Sequence, residues 1–334
     1  MMKGDVFVQN DVILDISENA ISHLNVSLLE ILLFDRTTRK KILWATDDYA
    51  ERGISYAAGD EIKPDLITGV NGNIIRSRVL KATEQKVDRT RTRAEVFTPS
   101  WVCNQQNNLI DEQWFEGKQV FNVTEGTTWT AIDAKIPFPE KGMKTWKKYV
   151  DARRMEITCG EAPYLVSRYD TVTGITIPIK ERIGLLDRKL RVVNENTDTR
   201  EDWMIWAKRA IESIYGYEFQ GDNLLLAREN VLYTYIEYYR KQFGDDPDIK
   251  TLKEIALVIS WNLWQMDGFN CAIPYCKVNT EPEQLSLFDL YPDDMGVFDY
   301  KALQDTKGQS LCKIRDWRSK ETVLYKNIVG GKEK

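Results

Sequence analysis

The clearest periodic pattern of apolar side chains lies in the second half of the chain. From Asp202 onward, tryptophan, alanine and isoleucine recur at helical spacing. Thr199 and Asp202 stand three residues apart ahead of this stripe, which predicts a capping box. Gly216 is predicted to stop the helix.

Two more helices and two strands are predicted after this helix. "YGYEFQGDN" predicts a short strand, with Asp222 placed to cap a long helix that ends at Gly244. "DIKTLKEIALVISWN" predicts a third helix, after which "LWQMDGF" becomes extended. This alternation of helices and strands predicts a doubly wound α/β domain with a Rossmann-like sheet.

The first part of the chain has a different pattern. Apolar runs such as "SLLEILLFD" and "KKILWA", followed by the glycine-rich "GVNGN", predict a small α/β or mostly β accessory module over residues 1–92. The main domain is predicted over residues 93–334. The segment "KATEQKVDRTRTR" between them is rich in Lys and Arg, and is either a solvated connector or an edge that contacts phosphate.

Composition narrows the class of protein. The 334 residues are 43% hydrophobic and 29% charged, which fits one large globular domain or two smaller ones. No apolar run approaches the roughly 18 residues of a membrane span, and "MMKGDVFVQN" lacks the order of a signal peptide, so a cytoplasmic protein is predicted. The net charge of -5 argues against a uniformly basic protein that wraps nucleic acid.

The residue types also limit the chemistry. The five cysteines fit reduced thiols better than a disulfide framework, and a zinc site is not expected because the single histidine is His23. Ser-His-Asp and Cys-His catalysis would both require His23, which fits an ordinary amphipathic segment. These catalytic classes are therefore set aside.

Polar residues directly after strands are the best candidates for ligand binding, because ligands of open α/β sheets bind at the carboxyl ends of strands. A carboxylate at Glu218 would suit a ribose diol, and Asp267 could accept a hydrogen bond from an exocyclic amine. Phe269 could stack on a purine. Each feature also has an ordinary structural explanation, such as a turn, a surface ion pair or a core ring. The evidence for a binding site is therefore the order of these features along the chain.

The succession "EVFTPSWVCNQQNN", "ITCGEAPYL", "IYGYEFQGDNLLLARENVL" and "NLWQMDGF" resembles adenine-specific DNA methyltransferases, in particular proteins called restriction endonuclease subunit M. The resemblance implies S-adenosylmethionine as cofactor and covers roughly residues 93–269. By position, it implies that Phe97, Thr98 and Pro99 pack on the methionine moiety, that Cys159, Gly160 and Glu161 pass beneath it, that Glu218 binds the ribose, and that Asp267 accepts from the adenine amine.

The chain departs from the expected pattern within the cofactor motifs. "CGEAPY" lacks a Gly-x-Gly loop, and Glu161 stands where a small residue is expected. Glu218 follows Gly160 by 58 positions instead of about 20, so the intervening insertion is expected to fold outside the core. Asp187 is the alternative ribose ligand, but Glu218 is preferred because a helix follows it.

The sequence also lacks an Asn/Asp-Pro-Pro-aromatic tetrapeptide, the loop that holds a flipped adenine in this family. The expectation is therefore a modification subunit of a restriction-modification system that supports adenine-N6 methylation of double-stranded DNA. A partner subunit would supply the catalytic loop and target recognition, so catalytic residues are not assigned in this chain. The competing expectation is a catalytically degenerate scaffold or DNA-binding regulator.

Overall fold

Helices pack around a small parallel sheet in the computed structural model, which describes residues 17–81, 98–275 and 311–329. In chain order the elements are α1 (Glu18–Leu24), α2 (Val26–Leu33), α3 (Pro64–Ile67), α4 (Ser100–Trp114), β1 (Asn122–Glu125), β2 (Thr128–Ala131), α5 (Trp146–Asp151), β3 (Arg154–Glu156), α6 (Leu185–Asn196), α7 (Arg200–Glu212), β4 (Ile214–Glu218), α8 (Gly221–Phe243), α9 (Ile249–Asn262), β5 (Leu263–Gln265), β6 (Lys313–Asp316), β7 (Glu321–Leu324) and α10 (Tyr325–Val329).

The central sheet has three parallel strands in the order β3-β4-β5. The connection from β3 to β4 contains α6 and α7, and the connection from β4 to β5 contains α8 and α9. Parallel strands need such crossovers, and their carboxyl ends meet at one edge of the sheet. The prediction of a mixed α/β protein with parallel strands is confirmed. The pairs β1-β2 and β6-β7 form separate antiparallel hairpins.

The predicted N-cap of α7 at Thr199 is confirmed, but the predicted stop is wrong. The Thr199 hydroxyl accepts the Asp202 N–H at 3.1 Å and in turn contacts the Asp202 carboxylate at 3.0 Å. The helix ends at Glu212, and Gly216 lies within β4. A Cβ at Gly216 would stand 2.9 Å from a Leu263 methyl, so glycine here permits close strand packing rather than ending a helix.

The long helix α8 has the predicted end and a different beginning. Gly244 adopts the left-handed conformation that commonly follows a helix, with φ +76°. The N-cap residue is Gln220 rather than Asp222, which lies one residue inside the first turn. The Asp222 carboxylate instead accepts the Tyr49 hydroxyl at 2.9 Å. A contact with the distant N-terminal segment therefore replaces the predicted local cap.

The N-terminal segment, residues 17–81, is helical rather than mostly β. It contains α1, α2 and α3, and no strand longer than an isolated bridge occurs within this range. Its buried side chains, including Leu28, Leu32 and Trp44, belong to the same hydrophobic cluster as the buried side chains of α8 and α9. The predicted domain boundary at residue 92 lies outside the described residues.

The long insertion between Gly160 and Glu218 contributes to the core, which corrects the prediction that it folds outside. Helix α6 packs against α7 and α8 and carries the fully buried Leu186, Leu190 and Val193. A helix with one such apolar stripe must bury it against another element, and the sequence spacing alone did not reveal this packing.

The N-terminal segment crosses the carboxyl edge of the parallel sheet. The side-chain amide of Gln265, the last residue of β5, accepts the Leu43 N–H and donates to the Leu43 carbonyl, both at 2.8 Å. The Gly221 N–H at the start of α8 donates to the Trp44 carbonyl at 2.9 Å. These backbone contacts make the segment one wall of the edge where ligands of α/β sheets bind.

Candidate functional site

The loop that follows β3 has an unusual backbone. Thr158, Gly160 and Ala162 all have left-handed φ values, of 46°, 53° and 64°. Such conformations cost energy for Thr and Ala, and they cluster at sites where the surroundings fix the chain. The buried Glu156 carboxylate fixes this loop, because it accepts the N–H groups of Tyr164 and Leu165 at 3.3 and 3.1 Å. Burial raises the pKa of Glu156 well above its usual value.

Glu218 ends β4 and contacts this loop directly. Its carboxylate accepts the Gly160 N–H at 2.8 Å and the Gln220 N–H at 3.2 Å. Burial raises the pKa of Glu218, while these backbone donors oppose the shift. A carboxylate offers about four lone-pair sites, so the Glu218 carboxylate can still accept a further donor. The structure therefore joins two predicted site residues, Gly160 and Glu218.

Cys159 and Glu161 flank Gly160 and are both buried. The Cys159 N–H donates to the Tyr217 carbonyl at 2.8 Å, which extends the strand pairing, and burial raises the pKa of its thiol well above the usual value. The Glu161 carboxylate accepts the Arg78 N–H and the Tyr169 hydroxyl, each at 2.6 Å. Glu161 thus ties the loop to the N-terminal segment.

Asp267 and Phe269 form the turn after β5. The Asp267 carboxylate accepts the Phe269 N–H at 2.9 Å and the Asn270 side-chain amide at 2.6 Å. Phe269 is fully exposed, so its ring does not pack on the sheet. Two further left-handed residues, Cys271 and Tyr275, follow in the same connection. Strained backbone therefore follows both outer strands of the sheet.

The predicted Phe-Thr-Pro turn is described only in part, because Phe97 lies outside the described residues. Pro99 is the N-cap of α4, and the Thr98 carbonyl accepts the Thr171 hydroxyl at 3.2 Å. The Asp170 carboxylate accepts the Ser100 N–H at 2.7 Å, so it satisfies the first backbone donor of α4. Burial would raise the pKa of Asp170, but its hydrogen bonds, including that from Ser100, outweigh burial and lower it.

Asp187, the alternative ribose ligand, lies in the first turn of α6 rather than after a strand. Its carboxylate accepts the Ser167 N–H and hydroxyl at 2.8 and 3.1 Å, and Arg182 lies 4.0 Å away. Burial raises the pKa of Asp187, although Arg182 lowers it in part. Its contacts are those of a buried structural carboxylate.

A cavity of about 180 Å³ opens within the N-terminal segment, beside the start of α8. Asp48, Tyr49, Arg52, Asn73, Arg76 and Lys81 line it. The Lys81 ammonium lies 3.4 Å from the fully buried Asp222 carboxylate, which also accepts the Tyr49 hydroxyl. Tyr49 and Lys81 therefore connect the cavity with Asp222, which stands four residues beyond Glu218.

Sequence reasoning missed the residues that join the N-terminal segment to the sheet, notably Tyr49, Lys81, Tyr169 and Gln265. Tyr49 and Asp222 are 173 positions apart, and no local pattern connects them. The one signal in the sequence is that Asp222 stands just after a predicted strand. That position predicts a helix cap rather than a contact with Tyr49. Of the predicted residues, Cys159, Gly160, Glu161, Glu218 and Asp267 lie at or just beyond the carboxyl ends of three adjacent parallel strands.

The fold and site define a mixed α/β protein whose candidate site lies at the carboxyl edge of a small parallel sheet. No family model, curated protein or solved structure matches this chain. Within the described ranges, no cluster of His, Cys, Asp and Glu could hold a metal ion. Across the same ranges, no helix is long and apolar enough to cross a membrane.

Proposed function

We propose that this chain binds S-adenosylmethionine at the carboxyl edge of the parallel sheet and supports adenine-N6 methylation of DNA as the modification subunit of a restriction-modification system. One observation carries the proposal: the loop of Gly160, the acid Glu218 and the acid Asp267 follow three hydrogen-bonded parallel strands in sequential order. This is the edge at which Rossmann-like sheets bind nucleosides.

The hydrogen-bonding capacity of the two acids supports their assigned roles. In this proposal Glu218 accepts the ribose hydroxyls, and Asp267 accepts the adenine amine. Each carboxylate already accepts bonds that shape its own loop, and each retains lone pairs for a ligand. The left-handed loop around Gly160 brings the backbone close to the same edge.

The outer edge of β3 supports the proposal of a partner subunit. Within the described residues, β3 has β4 as its one strand neighbour. Its Met155 side chain and the nearby Ile157 are 45% and 61% exposed. An unpaired edge with exposed apolar side chains is a surface on which another chain can add a strand. We propose that this partner brings the Asn-Pro-Pro-aromatic loop that this sequence lacks.

Calorimetric titration with S-adenosylhomocysteine tests the cofactor site. Asp267→Asn keeps the shape of the side chain but replaces one acceptor oxygen with a donor, so it should weaken binding by about 1 to 3 kcal/mol. Asp198→Asn is the matched control, because Asp198 is exposed and remote from the strand ends in sequence. Equal affinities for the two variants and the wild type would contradict the assignment of Asp267.

The competing proposal is a degenerate, non-catalytic scaffold. The contacts of Glu161 favour the scaffold. Its two carboxylate oxygens already accept hydrogen bonds from the Arg78 amide and the Tyr169 hydroxyl. Tritiated methyl transfer to adenine in duplex DNA distinguishes the two proposals. The chain should be inactive alone and active with the product of the neighbouring gene. Inactivity in both preparations, with no cofactor binding, would favour the scaffold.

A further inference from the structure

The cavity beside α8 has an excess of positive charge. Arg52, Arg76 and Lys81 face it, against the single carboxylate of Asp48. The charge of Lys81 is balanced by Asp222 at 3.4 Å. Arg52 and Arg76 are exposed, and neither forms an ion pair with a residue in the described part of the chain.

The two arginines suit an anion with several oxygen atoms. A guanidinium is a planar fork of donors that matches phosphate geometry, and it remains charged at any ordinary pH. The Arg76 Nε donates to the Asn73 carbonyl at 2.7 Å, which orients this side chain while its two terminal nitrogens remain for a ligand. Asn73 also lines the cavity and can donate from its side-chain amide.

The position of the cavity connects this anion site with the proposed reaction. Its buried end is formed by Tyr49 and Lys81, which contact Asp222 at the start of α8, directly after β4. We propose that Arg52 and Arg76 bind a backbone phosphate of duplex DNA and thereby hold the DNA against the carboxyl edge of the sheet. This inference rests on the proposed function, because it names how the same site receives its DNA substrate.

A second basic surface provides the matched comparison. Lys147 and Lys148 are exposed on α5, which precedes β3 and therefore lies at the amino edge of the sheet. The Lys147 ammonium lies 5.5 and 5.3 Å from the ring centroids of Trp146 and Trp206. Removing these two lysines changes the net charge by the same amount as removing the two arginines. The two double variants therefore separate a local contact from a general charge effect.

The test is fluorescence anisotropy of a labelled 20-base-pair duplex (about two helical turns) with the full chain and saturating S-adenosylhomocysteine, at 50 and 200 mM KCl. Each phosphate contact contributes about 0.9 to the slope of log affinity against log salt. Loss of this one phosphate contact in Arg52→Gln/Arg76→Gln should reduce the slope by about 0.9, so the wild type should lose about 3.5-fold more affinity over this range. Lys147→Gln/Lys148→Gln should keep the wild-type slope.

Three results would overturn the inference. One is an unchanged slope in the arginine variant, and another is an equal or larger reduction in the lysine variant. In the third, inorganic phosphate stabilises the wild type but not the arginine variant, and neither protein binds the duplex. The anion that the two arginines bind would then be free phosphate rather than a phosphate of DNA. Failure of S-adenosylhomocysteine to bind, with the DNA results as expected, would reject the cofactor proposal and leave the DNA contact in place.

Discussion

At the scale of single residues, acids at the strand ends shape the loops of the candidate site. Glu156, Glu218 and Asp267 each accept N–H groups from the loop that follows their own strand, and Glu218 also binds the neighbouring loop. A change at Glu218 would therefore alter the backbone around Gly160 as well as ligand binding. Asp267, on an exposed turn, is the better residue for a binding test.

A second group of buried charges stabilises the fold away from the site. The Glu237 carboxylate lies 2.8 Å from an Arg168 nitrogen and 2.6 Å from an Arg182 nitrogen. The Arg182 contact is an ion pair rather than an aligned hydrogen bond. Burial would raise the pKa of Glu237, but the two arginines outweigh burial and lower it. Both guanidiniums are almost completely buried, and Glu237 is the carboxylate that they share.

Glu237→Gln should reduce the free energy of unfolding at pH 7 by about 3 to 5 kcal/mol, because it removes the carboxylate that two buried arginines share. The folded-state pKa of Glu237 is below its unfolded value of 4.5. Its contribution is therefore present above pH 4.5 and is lost as pH falls through the folded-state pKa. Urea unfolding of both proteins between pH 7 and about pH 3 should show their stabilities converging at low pH.

The control for this prediction is Glu254→Gln. Glu254 forms a partly exposed ion pair with Lys208 at 2.9 Å, and such pairs contribute little. The control should change the free energy of unfolding by less than about 1 kcal/mol. An equal effect of the two substitutions would show that the Glu237 ion pairs do not stabilise the fold as described.

Local sequence signals identified some site residues and could not identify others. Glu218 and Asp267 were found because each closes a short apolar segment. The partners of Asp222 and Glu161 could not be found in this way, since Tyr49 and Arg78 are distant in sequence and Arg78 contributes a backbone amide. A backbone donor has no residue signature, so contacts of this type become visible only in the folded chain.

At the scale of elements, helices with local end signals were predicted well. Thr199 and Asp202 begin α7 and Gly244 ends α8, as expected. The N-terminal segment was predicted poorly, because its place in the fold depends on bonds from Leu43 and Trp44 to distant residues. The hydrophobic pattern of "SLLEILLFD" fits a buried strand or a buried helix, and tertiary packing selects the helix.

Gly221 provides a test of this docking at the element scale. A Cβ at Gly221 would overlap the Leu43 carbonyl, so Gly221→Ala should force the segment away from α8. Urea unfolding should show a loss of about 1 to 3 kcal/mol in the free energy of unfolding. This loss is net of the higher helix propensity of alanine, which favours the variant by about 1 kcal/mol.

Gly59→Ala is the control for Gly221→Ala, because a Cβ at Gly59 meets nothing within 4 Å. This substitution should be neutral or stabilise the fold by up to about 1 kcal/mol. If Gly221→Ala were as stable as Gly59→Ala, the N-terminal segment could not lie on the start of α8 as described.

At the scale of the whole molecule, the N-terminal segment and the parallel sheet form one unit. They share a hydrophobic cluster, and Arg228 of α8 donates to the carbonyls of Leu32 and Phe34 as well as to that of Leu263 in β5. Burial lowers the pKa of Arg228 to about 9. The segment therefore covers the sheet edge as a fixed wall, and a ligand at this edge would contact residues from both parts.

The most direct test of the central claim is amide hydrogen exchange of the full chain with and without saturating S-adenosylhomocysteine. A ligand at the carboxyl edge should slow exchange at residues 158–163, 219–222 and 267–270 together, because these segments follow three adjacent strands. Residues 152–154, at the amino end of β3, should be unaffected. Slower exchange confined to regions away from the strand ends, or no change in any peptide, would contradict the proposed site.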